Sequence, residues 1–486
     1  MELHVKHNFT EIKGVAPLSE LRSLLSFNIP TNFFMLKAKM PNKPLWLIKK
    51  IASKGQTINL LSLQTQKFPT GLLPKVIKWL DDNGYTYVLN DRRKYPWRNL
   101  WRCTRVARPY QKPSVASALK HRHGILNVAT RGGKTVIAQV IAGLIGLPTL
   151  FVVKSEELFQ QAIKSWQQAF PHKEIGMIGS GRFELQEITI ALIQTLIREK
   201  DEFDTLYHYF KLIFFDEVHN FGGIQFFRGA MKFNAPYRFG LSGTAFRNDD
   251  AGILLNALCG EIISKVTTQE LEDLDIVYKT KILMQHVNKR PHFPMSSRDW
   301  NKLYAWGIVH NDYRNELIMK WAEKLYKANM TVLIIVKEIV HGKKIQNLLL
   351  NVVNNPQAIR FMNGKEDKRT RQQVLKRFCQ GFIPFLIGTK IYNEGVDFVG
   401  LKNPKIKGKS VIFASGGKSK IENIQVSARP TTKEKRKGMK DEALIIDFMD
   451  NFHNKLMEHS LERRRNYKKL GQFQVVEIKK ELDYNL

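Results

Sequence analysis

The loop "ATRGGKT", residues 129–135, has residue types suited to holding a phosphate. A Gly-Gly turn before a helix directs backbone N–H groups and the positive end of the helix dipole at an anion. Lys134 can then reach the β- and γ-phosphates of a nucleotide, and the Thr135 hydroxyl can bind Mg²⁺. Val128 stands where the strict spacing requires a glycine. The loop alone therefore leaves both a nucleotide site and a structural turn open.

A pair of acids about 80 residues downstream favours the nucleotide site. Asp216 and Glu217 end the apolar run "KLIFF", where two adjacent carboxylates are costly unless a charged group lies against them. Mg²⁺ held by Asp216 and an attacking water positioned by Glu217 would satisfy both. A solvent-exposed loop is the structural alternative, but the combination with an upstream phosphate loop indicates nucleotide hydrolysis.

The segments around these residues must bring them together. From about residue 108 onward, short apolar runs alternate with helical patterns, which is typical of a parallel sheet with helices on both faces. The strands predicted in a first block are "GILNVA", "TLFVV", "ITIALI", "KLIFFDE" and "YRFGLSG". Those predicted in a second block are "TVLIIV", "IRFMNG", "FLIGT", "SVIFAS" and "ALIIDF", with helices at about 299–328, 341–352 and 366–380.

The pattern also divides the chain into domains. Residues 1–100 are mixed in pattern, with an amphipathic helix predicted over 74–83 and a turn at Asn83-Gly84. Around 265–300 the chain becomes polar and irregular, which places a boundary there. The sequence therefore predicts a small N-terminal nucleic-acid-binding domain over 1–100, a first α/β domain over 101–275 and a second over 276–486.

Composition narrows the partners. Lys and Arg number 77 against 44 Asp and Glu, a formal net charge of +33. DNA or RNA is the leading partner because such a surface releases the counterions of a polyanion; an anionic membrane and a basic surface without a dedicated partner remain open.

The three cysteines form no CxxC pair, so neither zinc nor a disulfide framework is expected and a reduced cytoplasm fits. Gln139 and Pro148 divide the apolar stretch 136–153 into a buried helix and a strand rather than a membrane span.

Asp216-Glu217-Val218-His219 is a DExH box, and at this point the chain resembles the superfamily 2 helicases. The resemblance covers about 105–470 and is greatest to the phage branch-migration helicases of the UvsW type. It implies two RecA-like parallel-sheet domains in tandem, with ATP bound between them, after a small α+β N-terminal domain. The segments that resemble further motifs are "RPYQ", "TLFVVKSEELFQQAIKSW", "ITIALIQTL", "LSGTAFR", "VLIIVKEIVHGKKI", "FMNGKEDKRTRQQVLKRF", "LIGTKIYNEGVDF" and "QVSARPTTKEKR".

The same resemblance assigns expected roles. Residues expected to contact ATP are Arg108, Gln111, Thr130, Gly132, Gly133, Lys134, Thr135, Gly395 and Asp397. Residues expected to act in hydrolysis or its coupling are Lys134, Glu217, His219, Gln425 and Arg429, with Thr135 and Asp216 as Mg²⁺ ligands. Residues expected to contact nucleic acid are Lys154, Gln194, Thr195, Lys337, His341, Gly364 and Thr389. A structural role is equally open for His341, which stands at a helix start.

The sequence departs from the family pattern in two motifs. Arg131 replaces the usual glycine of the phosphate loop, and a left-handed backbone there would cost roughly 1 kcal/mol. Ala428 and Thr432 replace the glycine and the second arginine of motif six. Loss of an arginine finger can lower hydrolysis by ~10³–10⁵, so a weak ATPase is one expectation.

The function implied by the resemblance is an ATP-driven DNA helicase that remodels forks, D-loops and Holliday junctions. An RNA or RNA–DNA helicase is a first alternative, because contacts to the phosphate backbone carry little information about the sugar. A basic DNA-annealing protein with a degenerate ATPase is a second. No small-molecule substrate other than ATP and no membrane partner is expected, and the location expected is the cytoplasm, that of the host if a phage encodes the chain.

Overall fold

The computed structural model describes residues 1–29, 43–44, 47, 56–97, 100–197, 204–221, 223–243, 251–277, 279–292, 299–353, 355–389, 401–417, 442–469 and 473–484. These residues form two compact units, Met1–Val266 and Thr267–Leu486. The division falls close to the boundary expected after residue 275.

The first unit begins with a small mixed sheet. Its strands are β1 Glu2–Val5, β2 Phe9–Lys13, β5 Lys67–Pro69 and β6 Val88–Asp91, in the order β5-β2-β1-β6, while β3 Ser26–Ile29 and β4 Gln56–Asn59 form a separate antiparallel pair. The helices are α1 Leu18–Leu24 and α2 Leu73–Asp82. Helix α2 matches the predicted amphipathic helix and buries Leu73, Val76 and Leu80.

A predominantly parallel eight-stranded sheet follows. Its strands are β7 His123–Val128, β8 Thr149–Val153, β9 Ile175–Gly179, β10 Arg182–Glu184, β11 Ile188–Leu192, β12 Leu212–Phe215, β13 Tyr237–Ser242 and β14 Ile262–Val266. The order is β10-β9-β11-β8-β12-β13-β7-β14, with β9 and β10 antiparallel. All five predicted strands are present. Strands β8, β12 and β13 are buried throughout, as expected of central parallel strands between helix layers, and this burial is why their sequences are continuous apolar runs.

Helices pack around this sheet. They are α3 Lys112–His121, α4 Lys134–Ile145, α5 Glu156–Ala169, α6 Ile193–Leu196, α7 Asp204–Tyr209, α8 Ile224–Met231 and α9 Ala251–Cys259. The apolar stretch 136–153 divides as predicted, since Gly146 ends α4 in a left-handed conformation before β8 begins. No helix in the described ranges is long and apolar enough to cross a membrane.

The small sheet and the first large sheet share one hydrophobic core. Two contacts join them closely. The Asn8 amide donates to the carbonyl oxygens of Met231 (2.9 Å) and Phe233 (2.8 Å). Gly71 lies against α9, where a Cβ would approach the Asn256 carbonyl oxygen to 2.0 Å. The N-terminal residues therefore pack as part of the first unit.

The second unit is built on a seven-stranded, all-parallel sheet. Its strands are β15 Lys279–Val287, β16 Met330–Ile335, β17 Ile359–Met362, β18 Phe385–Gly388, β19 Gly408–Phe413, β20 Glu442–Asp450 and β21 Gln474–Ile478, in the order β17-β18-β16-β19-β20-β15-β21. Its helices are α10 Thr268–Asp273, α11 Trp300–Tyr304, α12 Asp312–Lys327, α13 Ile339–Leu350, α14 Lys368–Cys379 and α15 Asn454–Lys469. All five predicted strands of this block are present.

Two expectations for this unit are wrong. The stretch 265–300 is not irregular throughout, because β15 pairs with both β20 and β21 and its central residues are buried. The helix predicted over 299–328 is interrupted by a π turn at Ala305–Val309. A new helix then starts where the Asn311 side chain accepts a hydrogen bond from the Arg314 N–H (3.1 Å).

Candidate functional site

Four neighbouring strands of the first sheet bring the candidate ATP residues to one edge. Strand β13 pairs in parallel with both β7 and β12, and β12 pairs in parallel with β8. The carboxyl ends of parallel strands meet at one edge of a sheet, where α/β proteins bind ligands. The phosphate loop follows β7, Lys154 follows β8, the acid pair follows β12, and Ser242 ends β13.

The phosphate loop makes a tight turn into α4. The Gly132 N–H donates to the Ala129 carbonyl (2.9 Å), and Gly133 adopts a left-handed conformation with φ 79° immediately before the helix. Arg131 is also left-handed, with φ 75°. The left-handed backbone at Arg131 that the sequence analysis considered is therefore present, and it costs about 1–2 kcal/mol of conformational energy.

Gln111 supports this loop from behind. Its buried side chain donates from Nε2 to the Gly132 carbonyl (2.9 Å) and accepts at Oε1 from the Arg108 N–H (2.9 Å). A Cβ on Gly133 would lie 2.3 Å from that Nε2. Gln111 thus contacts the phosphate loop directly and Arg108 contacts Gln111, while the roles of both residues in ATP binding stay predictions. Tyr110, which also donates to Gly132 (3.3 Å), was not anticipated.

The DExH box connects the loop to the end of β13. Lys134 Nζ lies 2.5 Å from Glu217 Oε1, and His219 Nδ1 lies 3.4 Å from Glu217 Oε2 and 3.3 Å from Ser242 Oγ. Burial raises the pKa of Glu217, but the positive charge of Lys134 and the neighbouring His219 outweigh it and leave the pKa below its ordinary value. Glu217 is therefore an ionised carboxylate, as a general base must be.

Asp216 is placed to hold a cation. Its Oδ1 is buried and has no hydrogen-bond partner among the residues that the structure describes. Burial and repulsion from Glu217 raise the pKa of Asp216 to about 7, despite the nearby Lys134. Such a carboxylate favours a divalent cation as its partner. Thr135, the second expected ligand, lies in the first turn of α4. The residues present thus fit Mg²⁺.

Gly243 is a site residue that the sequence reasoning missed. A Cβ there would lie 2.9 Å from Lys134 Nζ and 3.0 Å from Thr130 Oγ1. A side chain at position 243 would have to displace the Lys134 ammonium group, so the glycine leaves room for Lys134 and Thr130 as they stand. The signal was present in the Ser-x-Thr segment "LSGT", where the residue between serine and threonine received no role.

The expected nucleic-acid contacts of the first unit lie together at the same sheet edge. Gln194 Nε2 donates to the Lys154 carbonyl (2.8 Å), joining the segments after β11 and β8. Gln194 is exposed and Thr195 is half-buried. This edge therefore presents polar groups beside the candidate ATP site.

Those of the second unit follow three adjacent strands. Lys337, Gly364 and Thr389 come after β16, β17 and β18, and Lys337 and Gly364 are exposed. Thr389 is buried, and its N–H donates to the Met362 carbonyl (3.3 Å). The three positions are therefore brought to one edge of the second sheet.

His341 differs from these positions. It is completely buried, and its Nε2 lies 2.9 Å from Asn315 Oδ1. Burial, reinforced by the positive charges of Arg314 and Lys344, lowers the pKa of His341 to about 3. A neutral, buried ring favours the structural role that the sequence left open.

Four expected residues of motifs five and six lie outside the described residues: Gly395, Asp397, Gln425 and Arg429. Their roles stay predictions. From the sequence, the three successive arginines at 463–465 are most simply a solvated helix face, and this interpretation is wrong for Arg463. Its side chain is 2% exposed and donates from Nε to Asp447 Oδ2 (2.9 Å). The buried Asp447 on β20 stabilises this arginine inside the core.

Known proteins share both sequence and fold with the chain. Residues 105–247 match the family described as type III restriction enzyme, res subunit. The DNA 3'-5' translocase XPB2 of Sulfurisphaera tokodaii is 27% identical over 60% of this chain and 72% of its own length. The ATP-dependent DNA helicase uvsW of Enterobacteria phage T4 is 25% identical over 74% of each chain.

A solved fragment of a putative HsdR subunit of a type I restriction enzyme from Vibrio vulnificus has the same fold. It is 18% identical, with a TM-score of 0.54 over 83% of this chain and 74% of that one. The ordered motifs and these relatives make the chain similar to the DExH-box helicases of superfamily 2 and support ATP-dependent helicase activity, while the solved fragment shows the fold.

Proposed function

We propose that this helicase hydrolyses ATP with Mg²⁺ to move along DNA and remodel branched DNA such as forks, D-loops and Holliday junctions. The observation that carries the proposal is the connected series Lys134–Glu217–His219–Ser242. It joins the phosphate loop to the DExH box and to the Ser-x-Thr segment. A change at the nucleotide can therefore reach the end of β13.

The side chains account for the hydrolytic step as follows. Lys134 forms an ion pair with Glu217, and a γ-phosphate would compete for the same ammonium group. Once Lys134 turns to the phosphate, Glu217 is free to orient a water molecule and accept its proton. His219, in contact with both Glu217 and Ser242, transmits that change to the next strand end.

Asp216 and Thr135 would hold Mg²⁺. The ion would neutralise charge developing on the phosphate oxygens. Asp216 contributes an acceptor oxygen that has no hydrogen-bond partner in the described residues, whereas Glu217 is paired with Lys134. This assignment separates the two acids into a metal ligand and a base.

The choice of DNA rests on charge and on the relatives. A net charge of +33 favours a polyanion through counterion release. The two relatives described above are named as a DNA translocase and a DNA helicase. The preference for branched DNA rests on the sequence resemblance to the phage branch-migration helicases.

ATP hydrolysis measured with and without forked DNA tests the proposal. We expect strong stimulation by the fork, lost by about 10²-fold or more in Lys134→Ala. A parent protein that binds the fork but hydrolyses no more ATP than Lys134→Ala would refute the motor. RNA of the same sequence and shape tests the alternative of an RNA helicase. Equal or greater stimulation of hydrolysis by RNA would show that DNA is not the preferred substrate.

One observation favours a second candidate, a DNA-annealing protein with a degenerate ATPase. Arg131 holds a left-handed conformation in the phosphate loop, which strains the segment that must wrap ATP. Annealing of complementary strands at the same rate in the parent and in Lys134→Ala, without ATP, would support this candidate.

A further inference from the structure

Tyr304 occupies an unusual position in the second unit. It ends α11 and is 1% exposed, and the chain continues from it into the π turn Ala305–Val309. Single π turns are rare and are frequent at functional sites. The ring of Tyr304 contacts a segment that belongs to a predicted helicase motif, and its hydroxyl contacts a segment that precedes another such motif in sequence.

The ring contacts the segment after β16. Lys337 Nζ lies 4.4 Å from the centroid of the Tyr304 ring, a cation–π distance. Lys337 is exposed and is one of the expected nucleic-acid contacts. A phosphate near Lys337 would attract the same ammonium group, so nucleic acid bound there changes the contact with the ring.

The hydroxyl contacts the segment after β19. Tyr304 Oη donates to the Ser415 carbonyl at 2.6 Å. Two buried arginines hold the same short stretch: Arg314 donates to the Ala414 carbonyl (2.8 Å) and Arg463 to the Gly417 carbonyl (2.8 Å). Gln425 and Arg429, the expected catalytic residues of motif six, follow Ser415 within 14 residues of sequence.

The two arginines are themselves fixed. Arg314 Nε lies 2.8 Å from Asp450 Oδ1, and Arg463 Nε lies 2.9 Å from Asp447 Oδ2, with all four side chains buried. These pairs hold the backbone at Ala414 and at Gly417, on either side of Ser415. Among the contacts given above, that of Tyr304 joins this stretch to an exposed side chain, Lys337.

We propose that Tyr304 is a positioning residue that couples the nucleic-acid contact at Lys337 to the backbone at Ser415, which precedes motif six in sequence. The inference rests on the proposed function, since it concerns stimulation of ATP hydrolysis by DNA. Because Tyr304 is buried, it would act through Lys337 and Ser415 rather than by contact with ATP or DNA. It sets how strongly bound DNA accelerates hydrolysis.

The test is Tyr304→Phe in the full chain, which removes the hydroxyl and keeps the ring beneath Lys337. ATP hydrolysis is measured against increasing forked DNA, giving a plateau rate and a half-maximal DNA concentration. We expect the plateau to fall about five-fold or more, while the half-maximal concentration stays close to that of the parent. The matched control is Tyr326→Phe, whose ring packs on Phe385 in the same unit (5.1 Å).

A second variant keeps the test sharp. In a Lys337→Met background, Tyr304→Phe should have a much smaller effect, because the two side chains act through one contact. Three results would each overturn the inference. The first is that the effects of the two substitutions simply multiply. The others are a plateau rate in Tyr304→Phe equal to that of the parent, and equal losses of the plateau rate in Tyr304→Phe and Tyr326→Phe. Melting curves of all variants show whether a lost plateau reflects unfolding, which would also count against a positioning role.

The outcomes separate the inference from the proposed function. If the parent protein hydrolyses no more ATP than Lys134→Ala, both the proposed function and the coupling role of Tyr304 are refuted. A parent that DNA stimulates strongly, with Tyr304→Phe stimulated equally, removes only the coupling role of Tyr304.

Discussion

Lys134 Nζ lies 2.5 Å from Glu217 Oε1, an ion pair between two segments that are 83 residues apart in sequence. Strand β13 separates β7 and β12, which carry these segments, so the lysine crosses a strand to reach the acid. This pair makes Glu217 both a partner of the phosphate-binding lysine and the candidate base. A substitution at Glu217 should therefore affect binding and chemistry in opposite directions.

Glu217→Gln should lower the rate of ATP hydrolysis by about 10²–10⁴ while ATP binds at least as tightly as in the parent. The amide cannot accept the proton of water, and it no longer competes with phosphate for Lys134. Single-turnover hydrolysis and direct nucleotide binding measure the two effects. Glu157→Gln, at an exposed glutamate in the first turn of α5, is the control. ATP affinity lost in proportion to the rate would contradict the assignment.

Arg131→Gly should give a more stable protein than Arg131→Ala, by about 1 kcal/mol in the free energy of unfolding. Both substitutions remove the same side chain, so the difference isolates the left-handed backbone at φ 75°. Urea unfolding of the two variants measures it. Equal stabilities would show that the loop carries no strain at this residue.

Asn8→Ala should lower the free energy of unfolding of the first unit by about 3 kcal/mol. Asn8 donates to Met231 and Phe233 and accepts from Arg238 NH2 (2.9 Å), so its loss leaves buried polar groups unsatisfied. Asn28→Ala, at an exposed asparagine of the same region, should change stability by less than about 0.5 kcal/mol. Equal effects of the two variants would show that the Asn8 bonds do not hold the small sheet in place.

His341→Gln should reduce the loss of stability on acidification. The pKa of His341 in the folded protein, about 3, lies below its ordinary 6.5. Between these values the unfolded chain binds a proton that the folded chain does not, so stability falls as the pH falls. The decrease in the free energy of unfolding between pH 7 and pH 5 should be about 2 kcal/mol smaller in the variant.

The control for this measurement is His172→Gln, at an exposed histidine. DNA affinity at pH 7.5 should stay close to that of the parent in both variants, because His341 is buried. Weakened DNA binding in His341→Gln with an unchanged pH dependence of unfolding would instead support a direct nucleic-acid contact.

Arg463→Met should lower the free energy of unfolding of the second unit by about 3–5 kcal/mol, because it leaves the buried Asp447 without its charged partner. Arg465→Met, at an exposed position on the same helix, should change it by less than about 0.5 kcal/mol. Chemical denaturation of the pair provides the measurement. A large loss in Arg465→Met as well would indicate that the exposed side of α15 also supports the fold.

The elements that the sequence predicted well are those whose signal is local. The central strands of both sheets are short apolar runs bounded by turn residues, and burial on both faces leaves them little choice of structure. Strand β15 was missed because lysine, glutamine and histidine interrupt its apolar residues. Its burial comes from pairing with β20 and β21, partners distant in sequence.

The sequence by itself determined the phosphate loop, the DExH box and the order of the motifs, because each consists of a few adjacent residues that are read without a fold. Only the tertiary structure decided that Gln111 supports Gly132, that His219 meets Ser242 and that Arg463 is buried on Asp447. These contacts join residues from different strands and helices. Which residues meet depends on the order of strands in each sheet, and no periodicity along the chain specifies that order.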